Sequence, residues 1–161
     1  MAAVGHTQLA HQSGGGPRLN VAGAALAFDF GLRRSGVASG HSLTAAAAPL
    51  ATVSNGAQGP DWRAIEALVA AYKPAVLVVG NPYNADGTPG AMSAAAGQFA
   101  AQLVQRLKLP VARVDERHSS QEASAALQER RAAGTRRRRV QRADIDSVAA
   151  AIILERWLRG E

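Results

Sequence analysis

The chain has 161 residues, 47% hydrophobic and 4% aromatic, which suits one compact domain with a real core. It has no cysteine, no apolar run of the roughly 18 to 20 residues that span a bilayer, and no secretory signal at its N-terminus. We therefore expect a cytoplasmic protein without disulfides or membrane segments, and the net charge of +6 favours nucleic acid as its partner.

The predicted elements begin with a tail and a meander. Residues 1–20 carry three consecutive glycines and a proline without hydrophobic periodicity, so we predict a flexible tail before a single domain at 21–161. Apolar segments at about 24–30, 36–42 and 49–54 predict three strands. The short links between these strands favour an antiparallel meander.

The second half of the chain alternates helices with strands. Asp61 is the predicted N-cap of a helix that ends near Tyr72, and the apolar run at 75–80 predicts a strand buried on both faces. The elements that follow are a helix at 92–107, a strand at 111–116, and helices at 119–132 and 144–159. The predicted fold is α/β, with a mixed five-stranded sheet whose first three strands are antiparallel and last two parallel, and with helices on both faces.

Asp29 is an acidic residue within an otherwise apolar strand. Strand alternation places it on one face with the small residues Ala27 and Gly31, which leave room for a ligand such as a hydrated cation. A carboxylate buried there without a metal, a base or hydrogen bonds would be costly. Two interpretations therefore remain open: a metal ligand, or a structural aspartate paired with Arg33 or Arg34.

Two further acidic positions lie in apolar surroundings. Asp115 and Glu116 end the fifth strand, and because adjacent strand residues point to opposite faces, we expect one of them to reach the Asp29 face. Asp146 lies on a helix that is apolar nearly all round, so its carboxylate needs a partner. Asp144, by contrast, is interpreted as the N-cap of that helix.

Carboxylates from two strands and a late helix, with no cysteine and little histidine, describe a site of oxygen ligands. Such a site suits Mg²⁺ or Mn²⁺ rather than zinc. Two ions about 4 Å apart activate water and stabilise the leaving oxygen in the hydrolysis of phosphodiesters. The acidic residues therefore favour phosphodiester chemistry.

A cluster of arginines precedes the last helix. Its members are Arg130, Arg131, Arg136, Arg137, Arg138, Arg139 and Arg142. One interpretation is a solvated charged run. The other is a phosphate clamp, made chiefly by Arg136, Arg137, Arg138 and Arg139, whose binding would be independent of base sequence and strongly dependent on salt.

Four segments, in order, resemble the signature motifs of the YqgF/RuvX family. They are DFGLRRSG at 29–36, GNPYNADGTPG at 80–90, DERHSS at 115–120 and DIDSVAAAIILERWL at 144–158. Together they cover the chain from about Leu26 to Leu158. Any one of these motifs would be a weak signal, whereas four in the family's order are specific.

The resemblance implies a ribonuclease H-like fold and an activity like that of Holliday-junction resolvases or of a pre-16S rRNA nuclease. It implies an acidic, metal-binding site of Asp29, Glu116 and Asp146. Arg34 and Arg117 match the family's basic positions, where they would steady carboxylates or contact phosphate. Beside such a site, the arginine cluster is better interpreted as a phosphate clamp.

We therefore expect a metal-dependent endonuclease for structured nucleic acid, with pre-16S rRNA processing and junction resolution both open. Symmetric nicking of a four-way junction would require a two-fold homodimer. The alternative is a non-catalytic factor that binds nucleic acid or the ribosome through the same fold. Sugar-kinase and actin-type ATPases begin a similar strand, but they need two such domains, and no Walker-type loop is present.

Overall fold

The structure is a computed structural model that describes residues 9–11, 22–81, 93–115 and 142–160. Its strands are β1 (Leu9–His11), β2 (Ala24–Asp29), β3 (Arg34–His41), β4 (Ala46–Gly56), β5 (Gly59–Pro60), β6 (Val76–Asn81) and β7 (Val111–Asp115). Its helices are α1 (Trp62–Tyr72), α2 (Ser93–Leu107) and α3 (Arg142–Arg159). The helix predicted at 119–132 lies outside the described residues.

All seven strands form one mixed sheet in the order β1-β7-β6-β2-β3-β4-β5. The pairs β2–β3, β3–β4 and β4–β5 are antiparallel, whereas β2–β6, β6–β7 and β1–β7 are parallel. The predicted meander followed by two parallel strands is therefore confirmed. Strand β2 lies between β3 and β6, where the antiparallel and parallel parts of the sheet meet.

The number of strands differs from the prediction, with seven in place of five. The added strands are the two outermost ones, β1 and β5, of three and two residues. Segments this short show no hydrophobic period, so the backbone groups of a neighbouring strand decide their structure. Leu9–His11, within the stretch predicted as a tail, thus pairs in parallel with β7.

Strand alternation divides the core between two faces of the sheet. One face includes Ala25 and Ala27 and packs on α3, which contributes Ile153 to the same cluster. The opposite face is covered by α1 and α2 and includes Leu26 and Phe28. Strand β2 is apolar on both faces and lies at the centre of the sheet. Its neighbour β6, predicted to be buried on both faces, has Val76, Leu77, Val78 and Val79 buried.

Helix α1 has the predicted boundaries. The Asp61 carboxylate accepts a hydrogen bond from the Ala64 N–H at 3.2 Å, and the chain leaves the helix through Lys73, whose φ is 46°. Helix α3, in contrast, begins at Arg142, so Asp144 lies in its first turn and the N-cap interpretation is wrong. A capping residue in the sequence does not reveal whether the residues before it continue the helix.

None of the helices in the described part of the chain is both long enough and apolar enough to cross a membrane.

Candidate active site

The candidate site is built where β2 ends and α3 begins. Asp29 is the last residue of β2 and lies opposite Gly36 of β3. Ala25 and Ala27, which precede it at alternate positions, pack against α3, so Asp29 belongs to the same face of the sheet. The element that this face of β2 meets is α3.

Gly36 allows α3 to approach the sheet closely. A Cβ atom at Gly36 would overlap the carbonyl oxygen of Asp146 and would lie 2.7 Å from the Ser147 nitrogen. The first turns of α3 therefore rest directly on the backbone of β3. Since Gly36 is also the register partner of Asp29, this contact brings Asp29 and Asp146 to one place on the sheet. The glycine stood within a family motif, but sequence reasoning did not assign it this role.

Arg34 and Asp146 form an ion pair. The Arg34 Nε–H donates to Asp146 Oδ2 at 2.6 Å, and the two side chains are 32% and 22% exposed. A charge-assisted hydrogen bond of this length orients the carboxylate. The sequence offered Arg34 as a partner for Asp29, whereas the structure shows it bound to Asp146. The predicted need of Asp146 for a partner on its apolar helix is thus met.

The remaining predicted site residues follow β7 in the sequence. Ala112 and Val114 of this strand pack on the α3 face. Strand β7 ends at Asp115, beside Asn81 of β6. The predicted ligand and basic positions that lie outside the described residues are Glu116, Arg117, Arg136, Arg137, Arg138 and Arg139. Asp29, Arg34 and Asp146 are the predicted site residues that the described elements bring together.

The carboxylates of the site match the chemistry of a hard cation. Asp29 and Asp146 supply only oxygen donors, which Mg²⁺ and Mn²⁺ prefer. Within the described ranges, no group of three or more histidine or acidic side chains is placed to hold a metal. The third predicted ligand, Glu116, lies outside those ranges. The other two predicted ligands, Asp29 and Asp146, lie at the end of β2 and in the first turns of α3.

The sheet combines an antiparallel meander with two parallel strands, carries helices on both faces and has an acidic residue at the end of its central strand. This arrangement defines a ribonuclease H-like α/β protein. A family model described as "RuvX: Holliday junction resolvase" matches residues 23–160. The chain belongs to this RuvX family, which is a family of nucleases. The family that the sequence motifs predicted is therefore confirmed.

Relatives of this family resemble the chain over most of its length. A Legionella pneumophila protein is 42% identical over 137 residues, which cover 85% of this chain and 96% of the relative. A Xanthomonas axonopodis pv. citri protein is 44% identical over 136 residues, covering 84% and 87%. Both bear the provisional name pre-16S rRNA nuclease.

Among solved structures, T. thermophilus RuvC in complex with a Holliday junction substrate is similar with a TM-score of 0.49 and 16% sequence identity. The match covers 84% of this chain and 92% of that chain.

Proposed function

We propose that this protein is a metal-dependent endonuclease that hydrolyses phosphodiester bonds in structured nucleic acid. The observation that carries the proposal is the meeting of Asp29 and Asp146 on one face of the sheet, across Gly36. The elements that carry these two residues meet at Gly36, and carboxylate oxygens are the donors that hard divalent cations prefer. Membership of a nuclease family supports a phosphodiester as the substrate.

The proposed metal ligands are Asp29, Glu116 and Asp146. Glu116 is the residue that matches the family's acidic motif, and it directly follows the end of β7 in the sequence. Carboxylates are the ligands expected for Mg²⁺ or Mn²⁺. When bound, such ions supply an activated water and stabilise the leaving oxygen.

The proposed phosphate contacts are basic residues around these carboxylates. Arg34 is 32% exposed, so its guanidinium can meet a phosphate while it holds Asp146. Arg117 directly follows Glu116 in the sequence. Two residues separate the start of α3 from Arg136, Arg137, Arg138 and Arg139. The net charge of +6 supports binding to a polyanion.

Two structured nucleic acids are proposed as substrates. The family description names Holliday junctions, and the two relatives are named for pre-16S rRNA. Cleavage of a four-way junction on opposite strands requires two copies of the site, so that activity would need a homodimer. Processing of an rRNA precursor requires one copy.

The test is a cleavage assay on a four-way junction, a linear duplex and a precursor rRNA fragment, with Mg²⁺ and with Mn²⁺. We expect Asp29→Asn, Glu116→Gln and Asp146→Asn each to lower cleavage at least about 100-fold while binding persists. Asp61→Asn is the matched control, because it makes the same chemical change at the cap of α1, where asparagine caps equally well.

Absence of wild-type cleavage on every substrate with both metals would refute the nuclease proposal. Full activity in Asp29→Asn and Asp146→Asn would refute the assignment of the site. If nucleic acid still binds and no substrate is cut, the non-catalytic alternative takes its place.

A further inference from the structure

The turn between β2 and β3 is held by a side chain from β4. The Asn55 Nδ2–H donates to the Gly31 carbonyl oxygen at 2.6 Å, and the Asn55 backbone N–H donates to the Arg33 carbonyl oxygen at 2.8 Å. A further bond, from the Gly31 N–H to Ser35 Oγ at 3.4 Å, links the two ends of the turn. Asn55 therefore fixes the turn at two points, on either side of Leu32.

This turn separates two residues of the candidate site. It begins after Asp29 and ends at Arg34, the residue whose Nε binds the Asp146 carboxylate. The turn is tight: Gly31 and the Arg34 carbonyl group are so close that a Cβ atom at Gly31 would overlap the Arg34 carbonyl oxygen. A shift at Gly31 or Arg33 would therefore move the backbone of Arg34 relative to α3.

We propose that Asn55 is a positioning residue of the active site. Its amide holds the turn so that Arg34 reaches Asp146, and through Arg34 it orients the carboxylate of Asp146. The role of Asn55 in cleavage rests on the function proposed above. Its role in placing Arg34 rests on the hydrogen bonds alone.

Two substitutions separate the amide from the rest of Asn55. Asn55→Ala removes the side-chain donor, and Asn55→Asp keeps the size of the side chain but places a carboxylate oxygen toward the Gly31 carbonyl oxygen. Both retain the backbone N–H that binds the Arg33 carbonyl, so the pairing of β4 is kept. Ser54→Ala is the matched control, since Ser54 is an exposed neighbour on the same strand.

The first experiment follows the Arg34 Nε–H by ¹H–¹⁵N NMR spectroscopy in the full chain. We expect its exchange with water to become at least about tenfold faster in Asn55→Ala and Asn55→Asp, and to be unchanged in Ser54→Ala. Unchanged exchange in both Asn55 variants, with their folds intact, would overturn the proposal. This readout does not depend on cleavage, so it remains decisive if the proposed nuclease function fails.

The second experiment measures kcat and KM for a cleaved substrate in a double-mutant cycle with Arg34→Ala. We expect each Asn55 substitution to lower kcat about tenfold while KM changes less than about twofold. In the Arg34→Ala background the same substitutions should cost nothing further, because Asn55 acts through Arg34. Independent, multiplicative effects would show a merely structural role and overturn the proposal, as would wild-type kcat in the Asn55 variants.

Discussion

Arg34 and Asp146 are 112 positions apart in the chain, and the Arg34 Nε–H donates to Asp146 Oδ2 at 2.6 Å. This ion pair joins the start of β3 to the first turns of α3. It stands where Gly36 lets the helix rest on the sheet, opposite Asp29. The pair therefore ties the Asp146 carboxylate to β3, the strand whose Gly36 pairs with Asp29 at the end of β2.

The Arg34–Asp146 pair should matter more for activity than for stability. Because both side chains are partly exposed, Asp146→Asn should lower the free energy of unfolding by at most about 1 kcal/mol. Cleavage should nevertheless fall at least about 100-fold. Urea unfolding and the cleavage assay measure the two effects. Arg159→Gln, which breaks the exposed pair with Glu155 on the same helix, should leave cleavage unchanged. An unfolded Asp146→Asn variant would contradict the prediction.

Removal of Arg34 should strengthen metal binding. Its guanidinium competes with a cation for the Asp146 carboxylate, so Arg34→Ala should bind Mn²⁺ about two- to fivefold more tightly, a modest factor because the pair is partly exposed. Isothermal titration calorimetry measures this affinity. Arg33→Ala is the control, since it removes one exposed charge from the same turn and leaves the ion pair intact. Weaker Mn²⁺ binding in Arg34→Ala would show that Arg34 prepares the carboxylate for the ion.

Gly36 should tolerate no side chain. In Gly36→Ala the new methyl group meets the backbone of α3, so we expect a loss of about 1 to 3 kcal/mol in unfolding free energy together with a loss of cleavage. Gly56→Ala is the matched control, because a Cβ atom there meets nothing within 4 Å. Thermal unfolding and cleavage are measured on both variants. Wild-type stability and activity in Gly36→Ala would show that α3 does not rest on this glycine.

The proposed phosphate clamp should show its effect in the salt dependence of binding. If Arg137 contacts a phosphate, Arg137→Gln should weaken binding to every substrate and reduce the slope of log K against log salt by roughly 0.7 to 0.9. Arg63→Gln is the control, since Arg63 is exposed on α1, on the other side of the sheet. Binding is measured by fluorescence anisotropy across a salt series. Equal slopes for wild type and Arg137→Gln would remove Arg137 from the clamp.

Much of the fold could be predicted because it follows from strand alternation and helix capping, which involve residues close together in the sequence. The alternation of small and large residues along β2 placed Asp29 on the face that α3 covers. The cap at Asp61 located the start of α1 to the residue. The same reasoning failed at Asp144, because the start of α3 depends on residues outside the capping pattern.

The sequence by itself determined the mixed α/β architecture and predicted the acidic residues of the candidate site, with their oxygen donors. It did so because strand alternation, helix capping and motif order depend on residues close together in the chain. Only the tertiary structure decided that Arg34 binds Asp146, that Asn55 holds the turn before Arg34, and that Gly36 receives α3. These contacts join distant segments across the sheet, and no local pattern records which of several arginines or asparagines the folded chain brings into reach.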